Sequence, residues 1–251
     1  MFDAIAGRYD LLNRVLSAGL DRHWRARAVK ALNLTGTETV LDLCTGTADL
    51  ALASTDARRV IGIDFAAAML RLAKNKVRRA SGSALRQARG APSEHSESRG
   101  GPAASTVPAI DLVRADAMRL PLRDGSVDAV TIGFGIRNVE QPTEAFREIV
   151  RVLRQNGSLA ILEFSLPRAP IVRTFYLWYF WNVLPRIGRA ISGHPSAYTY
   201  LPESVEAFSS PEAFVQQLRA AGFATARAVP LTFGVVYLFV ATRHGAGAAS
   251  A

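Results

Sequence analysis

Cysteine is almost absent from this 251-residue chain, in which Cys44 is the only one. A single cysteine excludes an internal disulfide and is typical of proteins in a reducing compartment, so we expect a cytoplasmic protein. Cys44 directly follows an apolar run. We therefore interpret it as a small packed residue at a buried strand end, not as a nucleophile.

Histidine is scarce as well, and no long apolar run is present. The spacing of the four histidines is not that of a metal site, so we predict no bound metal: His23, His95, His194 and His244. No stretch is long and apolar enough to span a bilayer. The first residues hold Asp3, Arg8 and Asp10, which argues against a signal peptide.

Acidic residues are fewer than basic ones, 21 against 30, and the formal net charge is +9. Such a balance is compatible with nucleic acid or an anionic membrane surface as a partner. However, the basic residues are mostly arginines scattered along the chain, so a compositional bias explains them equally well. The length predicts one domain with a substantial core, which we place at residues 1–243.

One stretch, residues 40–50, predicts a ligand site. The apolar run 40–43 includes Asp42 and ends in a small-residue loop around Gly46, where the backbone can approach a ligand closely. A second apolar run, 60–63, ends in Asp64, whose carboxylate can accept hydrogen bonds from both hydroxyls of a ribose. A loop that binds no ligand remains the alternative.

The nature of the cofactor follows from what this loop lacks. A pyrophosphate-binding loop would carry G-x-G-x-x-G, whereas this loop has a single glycine and the acids Asp42 and Asp49. Negative charge suits a cationic cofactor, and S-adenosylmethionine carries a sulfonium and an ammonium. We therefore predict S-adenosylmethionine.

Short apolar strands alternate with helices over most of the chain. Strands are expected at 39–44, 59–63, 110–113, 127–133, 158–163, 225–231 and 234–242, with helices at 48–56, 66–79, 142–154 and 211–221. Residues 2–34 predict two helices, the second capped by Asp21. This pattern indicates an α/β fold with a doubly wound, mainly parallel, seven-stranded sheet and an N-terminal helical lid at 1–36.

Three segments depart from this pattern. Residues 80–108 are rich in Ser, Gly, Ala, Arg and Pro, and we predict a disordered insertion, with a charged docking loop as the alternative. Residues 170–202 begin with the aromatic run 175–181, which suits an apolar substrate channel, a membrane contact or a packed lid helix. The tail 244–251 is expected to be frayed.

Two further strand ends carry candidate site residues. Asp116 and the Ala117 amide lie where an adenine would sit, although Asp116 could simply cap a turn. Arg137 and Asn138 follow strand four, where cofactor and acceptor would meet. Arg137 can stabilise developing phenolate or enolate charge, and Asn138 can hydrogen-bond an oxygen, with a solvated loop arginine as the alternative.

Several blocks of the chain resemble the ubiquinone/menaquinone biosynthesis C-methyltransferase family, over nearly everything except the insertion and the tail. The blocks lie in the family's order at residues 9–25, 134–139, 151–157, 162–165, 184–188, 198–204 and 221–223.

The resemblance implies a class I S-adenosylmethionine-dependent methyltransferase fold (Rossmann-like) and C-methylation of a prenylated hydroquinone. By family position, Thr47, Asp64, Asp116 and Ala117 should contact the cofactor. Gly133 stands where the family often has serine, so only its backbone can make that contact.

Two acceptors remain open. Demethylmenaquinol is favoured, and 2-methoxy-6-polyprenyl-benzoquinol, the ubiquinone precursor, is the alternative. In either case we expect Arg137 and Asn138 to stabilise the phenolate-like oxygen and Tyr9 to close over the site, with His23 or a water as candidate base.

The enzyme is then expected at the inner face of the cytoplasmic membrane in transient contact with its surface, with a homodimer as an open alternative. Two other functions compete with this one. A nucleic-acid methyltransferase is suggested by the charge, but there is no N-P-P-Y-type loop and no basic stripe, so we expect no nucleic-acid partner. A non-catalytic S-adenosylmethionine-binding protein on the same fold is the other.

Overall fold

The computed structural model describes residues 17, 19–90, 107–179, 182, 205 and 208–245. The side chains of residues 85, 87–90 and 175 are outside this description. The predictions made for Tyr9 and the first helix, for most of 170–202 and for the end of the tail also lie outside it.

The described residues form a sheet of seven strands in the order β3-β2-β1-β4-β5-β7-β6. All pairings are parallel except those of β7, which runs antiparallel to β5 and β6. The doubly wound, mainly parallel sheet is therefore confirmed. The strands are β1 (Thr39–Leu43), β2 (Arg59–Asp64), β3 (Ala109–Arg114), β4 (Val127–Gly133), β5 (Leu153–Phe164), β6 (Phe223–Leu231) and β7 (Val236–Arg243).

The central strands are apolar on both faces because helices cover both sides of the sheet. Every residue of β1 is buried, as a strand in the middle of a parallel sheet requires. The described helices are α1 (Asp21–Lys30), α2 (Asp49–Ala53), α3 (Ala67–Gly90), α4 (Pro142–Val152), α5 (Pro170–Trp178) and α6 (Pro211–Ala220).

Two hydrophobic clusters correspond to the two faces. One contains Phe146 of α4 and Phe214 of α6, whose rings meet edge to face with centroids 5.3 Å apart. The other contains Trp24 of α1, Leu50 of α2 and Ala73 of α3. Burial on both faces makes the sheet a rigid platform whose strand ends position the loops.

The ends of α4 and α6 follow the expected chemistry, but the start of α1 does not. Pro142 and Pro211 occupy first-turn positions, and Ser210 Oγ accepts a hydrogen bond from the Ala213 amide at 3.2 Å. The expectation that Asp21 caps α1 is wrong. Leu20 is the cap residue, and Asp21 lies inside the first turn, where its carboxylate binds Ser17 Oγ and Arg25.

Helix α3 ends eleven residues later than predicted, at Gly90, and runs through the first part of the 80–108 segment. Disorder at 80–90 is thus a wrong prediction. The stretch holds Ala, Leu, Arg and Gln, which are good helix formers, and an interior glycine such as Gly82 costs only about 1 kcal/mol. A helix already nucleated against β2 and β3 therefore continues. Within the described residues, no helix is long and apolar enough to cross a membrane.

Candidate active site

The carboxyl ends of β1, β2, β3 and β4 surround a cavity of about 330 Å³. Such an edge is where parallel α/β sheets bind ligands. Six of the residues singled out from the sequence line it: Gly46, Asp64, Asp116, Ala117, Gly133 and Asn138. These positions are far apart in the chain, and the sheet topology brings them to one place.

The buried carboxylate of Asp42 holds the loop after β1 by hydrogen bonds. It accepts hydrogen bonds from Thr45 Oγ1 at 2.6 Å, Thr131 Oγ1 at 2.7 Å and the Ala51 amide at 3.1 Å. Burial raises the pKa of Asp42 to about 6, against the lowering effect of these hydrogen bonds. Asp42 therefore fixes the shape of the loop. It lies outside the lining of the larger cavity but lines a smaller recess beside it.

The same loop has an unusual backbone. Cys44, Gly46 and Ala48 all have left-handed φ values, of 55°, 56° and 67°. Glycine adopts this region without cost, whereas the other two lose roughly 1–2 kcal/mol each relative to ordinary backbone. The loop is therefore held in one conformation by its surroundings.

Asp64 connects the loop after β1 with the loop after β2. One carboxylate oxygen accepts from the Gly46 amide at 2.8 Å, and the other accepts from the Ala66 amide at 2.8 Å. These two hydrogen bonds fix the orientation of the carboxylate at the wall of the cavity that Asp64 lines. The next residue, Phe65, lines the cavity with 69% of its surface exposed, and its ring lies 5.6 Å from the Arg114 guanidinium carbon.

Asp116 fits both interpretations drawn from the sequence. Its carboxylate accepts from the Met118 amide at 2.9 Å, which closes a turn, and the residue also lines the cavity beside Ala117. Gly133 has no side chain, so it can contribute only its backbone. A Cβ added there would lie 3.3 Å from Leu50 Cδ2.

A smaller recess adjoins the cavity and contains Thr47 and Asp49. Lys76 Nζ lies 2.5 Å from Asp49 Oδ1 and 3.1 Å from Thr47 Oγ1, and Arg25 lies 3.3 Å from Asp49 Oδ2. Asp49 is thus balanced by two cations, although its sequence position suggested an uncompensated charge. Arg25 and Lys76 come from α1 and α3, and no spacing in the sequence relates them to the loop.

Arg137 and Asn138 lie in a short 3₁₀ turn after β4, but they face different surroundings. Asn138 lines the cavity, whereas the Arg137 side chain is 9% exposed and forms an ion pair with Glu163. The Arg137 guanidinium carbon lies 5.5 Å from the centre of the Phe164 ring, a cation–π contact.

Glu163, the ion-pair partner of Arg137, lines neither cavity and was not predicted from the sequence as a functional residue. It lies at the end of β5 with no exposed surface, and its Oε1 accepts from the Phe164 amide at 2.9 Å as well as from Arg137. Burial raises the pKa of Glu163, and the positive charge of Arg137 opposes that rise. An acid at the end of an apolar strand was the available signal, as it was for Asp64.

An aromatic cluster of Trp24, Phe134 and Phe164 packs beside this ion pair. The Phe134 and Phe164 rings are 4.6 Å apart, and Trp24 meets each edge-on at 6.1 Å. Trp24 Nε1 donates to Thr232 Oγ1 at 2.8 Å, which ties α1 to the turn between β6 and β7. Phe134, Thr232 and Phe233 of this region also have left-handed φ values of 59°, 45° and 57°.

Four carboxylates converge on Cys44, which supports its interpretation as an inert packed residue. Desolvation raises the pKa of its thiol, and the negative charges of four strand-end acids raise it further: Asp64, Asp42, Glu163 and Asp116. Cys44 lines the cavity, so these acids add negative charge near its wall, and such charge favours a cationic ligand.

Two other sequence candidates are not brought into this site by the described residues. His23 is on the exposed side of α1 and lines neither cavity. Tyr9 belongs to the part of the chain outside the description. Across the described ranges, no group of three or more metal-ligating side chains is assembled.

Comparison with known proteins connects this site to one family. A model described as the ubiE/COQ5 methyltransferase family matches residues 1–99 and 94–243.

Two curated relatives match over nearly their whole length. A ubiquinone/menaquinone biosynthesis C-methyltransferase UbiE of Citrifermentans bemidjiense is 42% identical over 97% of this chain and 94% of its own. A demethylmenaquinone methyltransferase of Thermus thermophilus is 43% identical over 97% of this chain and 100% of its own.

Among solved structures, a SAM-dependent methyltransferase from Aquifex aeolicus superposes with a TM-score of 0.56 at 18% identity, over 87% of this chain and 88% of its own. At 18% identity this similarity supports the fold alone. The predicted class I methyltransferase fold is confirmed.

Proposed function

The chain belongs to the ubiE/COQ5 methyltransferase family, and from that premise we propose that it methylates a ring carbon of demethylmenaquinol. It is an S-adenosylmethionine-dependent methyltransferase of quinone biosynthesis. The observation that carries the finer proposal is the acidic cavity at the strand ends with Asn138 in its lining and the Arg137–Glu163 pair beside it.

The residues present fit S-adenosylmethionine, which supplies an electrophilic methyl group on a sulfonium. The acids around Cys44 favour a cation in the cavity. We propose that Asp64 accepts from the ribose hydroxyls, that Asp116 and Ala117 hold the adenine, and that Gly46 and Gly133 offer their backbone.

We assign Asp42 the role of supporting the loop from below. Thr47 lies in the smaller recess beside Arg25 and Asp49. An adjacent cation and anion suit a zwitterionic amino-acid end, so we propose that this recess holds the methionine portion.

A hydroquinone carbon becomes nucleophilic when a neighbouring hydroxyl loses its proton. We propose that Asn138 hydrogen-bonds this oxygen and that the Arg137 guanidinium stabilises its negative charge. Positioning of the ring carbon in line with the methyl group supplies much of the remaining acceleration. The closing role of Tyr9 stays a prediction.

The choice of acceptor is supported by the relatives' names. The Thermus thermophilus relative is named for demethylmenaquinone alone, which favours the naphthoquinol. The Citrifermentans bemidjiense relative is named for both quinones, which keeps 2-methoxy-6-polyprenyl-benzoquinol as the second candidate.

We also propose that the ligand edge touches a membrane surface in the cytoplasm, where a prenylated substrate is held. Ile171 and Trp178 of α5 and Phe233 of the β6–β7 turn are exposed by 86%, 53% and 82%. All three belong to segments that leave the sheet at this edge. Exposed aromatic and aliphatic side chains favour the membrane interface. Co-sedimentation with anionic vesicles tests this contact, and no binding by the wild-type protein would contradict it.

The function is tested by incubating the purified protein with S-adenosylmethionine and short-chain demethylmenaquinol under anaerobic conditions. We expect a product heavier by one methylene unit in mass spectrometry, and faster turnover than with the benzoquinol. Transfer to the benzoquinol alone would select the second candidate, and transfer to RNA alone would refute both. Cofactor binding without transfer to any acceptor would indicate a binding protein.

The role of Arg137 is tested by Arg137→Ala. The loss of an oxyanion-stabilising group lowers kcat by roughly 100-fold or more, while the Kd for S-adenosylmethionine changes little. Arg147→Ala is the matched control, because Arg147 pairs with Glu144 on the exposed side of α4. Equal losses in kcat and in cofactor affinity would contradict this assignment.

A further inference from the structure

The Arg137–Glu163 ion pair contains two buried atoms with no hydrogen-bond partner among the described residues. They are the donor Arg137 Nε and the acceptor Glu163 Oε2. Buried polar atoms are nearly always paired, and an unpaired one loses the hydration it had in water. Each belongs to a group of the same ion pair, so an unmatched donor and an unmatched acceptor flank one contact.

This pair adjoins the cavity in which the reaction is proposed to occur. Asn138, the neighbour of Arg137, lines the cavity. So does Cys44, whose thiol pKa is raised mainly by burial and to a smaller extent by nearby acids that include Glu163. Phe164 follows Glu163, and its ring stacks at 4.6 Å on Phe134, another lining residue.

The donor Arg137 Nε and the acceptor Glu163 Oε2 could both be satisfied by one hydroxyl group, because a hydroxyl can accept and donate. A quinone carbonyl only accepts, so it could satisfy Arg137 Nε but would leave Glu163 Oε2 unpaired. We propose that Glu163 accepts the proton of the hydroxyl next to the methylated carbon, while Arg137 Nε donates to the same oxygen. This assignment rests on the proposed function and adds to it the base and the selection of the reduced acceptor.

The proposed step moves one proton to Glu163 and one methyl group to the ring carbon. The hydroxyl proton moves to Glu163, the electron pair left on oxygen is delocalised to the ring carbon, and that carbon forms a bond to the methyl group as the carbon–sulfur bond breaks. Glu163 then returns its proton to the oxygen. The hydrogen on the methylated carbon leaves to water, which restores the aromatic ring.

The surroundings of Glu163 are suited to this exchange. Burial raises its pKa, which makes the carboxylate a stronger base. Among the described residues, the charged or titratable groups that face it are Arg137, Tyr176 of α5, Cys44 at the end of β1, and Tyr237, its partner on β7. The positive charge of Arg137 opposes this rise in pKa and favours the ionised carboxylate, which is the form that accepts a proton.

The first test uses the wild-type protein and so does not depend on any variant folding. Binding of a short-chain prenyl naphthoquinol is compared with binding of its oxidised quinone, both by anaerobic calorimetry. We expect the quinol to bind roughly 5- to 100-fold more tightly, the factor that corresponds to one unsatisfied buried acceptor. Equal affinity would overturn the proposal and would indicate that a structural water satisfies both atoms.

The second test follows turnover against pH in Glu163→Gln. A general base contributes roughly 100- to 10,000-fold, so a large loss in kcat is expected at pH 7. With a phenol pKa of about 10, as in tyrosine, the ionised fraction of the quinol rises tenfold per pH unit. The deficit of the variant should shrink about 100-fold between pH 7 and pH 9, which is roughly tenfold for each pH unit.

The matched control is Glu148→Gln, which alters another glutamate–arginine pair, that with Arg151 on α4. We expect its pH profile to be that of the wild type. A deficit of Glu163→Gln that stays constant with pH would reduce Glu163 to a structural residue and overturn the proposal. If the wild-type protein transfers no methyl group to any quinol, the proposed function fails. The binding test then shows separately whether the site prefers the quinol to the quinone, as the assignment of Glu163 requires.

Discussion

Gly135→Ala is the substitution for which the structure gives the clearest expectation. Gly135 precedes the turn that carries Arg137 and Asn138, and it packs against the loop after β1. A Cβ added there would lie 2.4 Å from Cys44 Cβ and 3.2 Å from Cys44 Sγ. Both Cβ atoms are attached to backbone, so no rotation of a side chain can relieve the contact.

The size of the effect follows from this distance. Carbon atoms pack comfortably at about 3.5–4.0 Å, so the two loops must separate by roughly 1 Å. Overpacking of this kind costs about 1–3 kcal/mol of stability. A 1 Å displacement of reacting groups costs on the order of 100-fold in rate, and here both the cofactor loop and the acceptor turn move. We expect kcat to fall about 100-fold.

The assay is methyl transfer to demethylmenaquinol, with thermal melting as a measure of folding. Cys44→Gly in the same chain removes the opposing Cβ and places glycine at a φ of 55°, which glycine adopts readily. The double variant should recover most of the lost activity. If Gly135→Ala keeps wild-type kcat, or if Cys44→Gly does not restore it, the steric reasoning is refuted.

Two further predictions concern acids of the same edge. Asp42→Asn replaces a carboxylate whose folded pKa of about 6 exceeds its ordinary value of 3.8. The native wild type therefore binds more protons than the unfolded chain between these values, and the stability contributed by Asp42 falls as pH rises through this window, by roughly 3 kcal/mol. Urea unfolding should then show the wild type's advantage over the variant to be greater at pH 4.5 than at pH 7, and an equal advantage would contradict the cause given. Asp64→Asn should weaken S-adenosylmethionine binding at least tenfold in calorimetry while the KM for the quinol stays near that of the wild type; unchanged cofactor affinity would remove Asp64 from the site.

The sheet was predictable because its signals are local and periodic. Most strands are short apolar runs, and proline or glycine marks the ends of α4 and α6 at Pro142, Pro211 and Gly222. The polar start of β5, from Leu153, was not predictable in this way. The 80–90 segment was not predictable in this way. Its composition favours disorder on average, but its continuation from a packed helix decides the outcome.

The candidate site was predictable where a residue sits at a strand end. Asp64, Asp116 and Asn138 follow apolar runs, and the topology of a parallel sheet brings such positions together. Arg25 and Lys76 were not predictable, because they reach Asp49 from separate helices and only the packing makes them neighbours. Glu163 carried the same strand-end signal as Asp64 and was passed over.

The types of residue that adopt left-handed φ values differ between the two ends of the sheet. At the end where the strands begin, the described non-glycine residues with positive φ are Asn33 and Asn156, and asparagine tolerates this region. At the opposite end, the positions are filled by Cys44, Ala48, Phe134, Thr232 and Phe233, for which it is unfavourable. Residues at that end therefore hold a backbone shape that is unfavourable for their type, and substitutions that relieve it would raise thermal stability. Each such increase in stability would change the conformation of the loops at the ligand edge and so lower turnover.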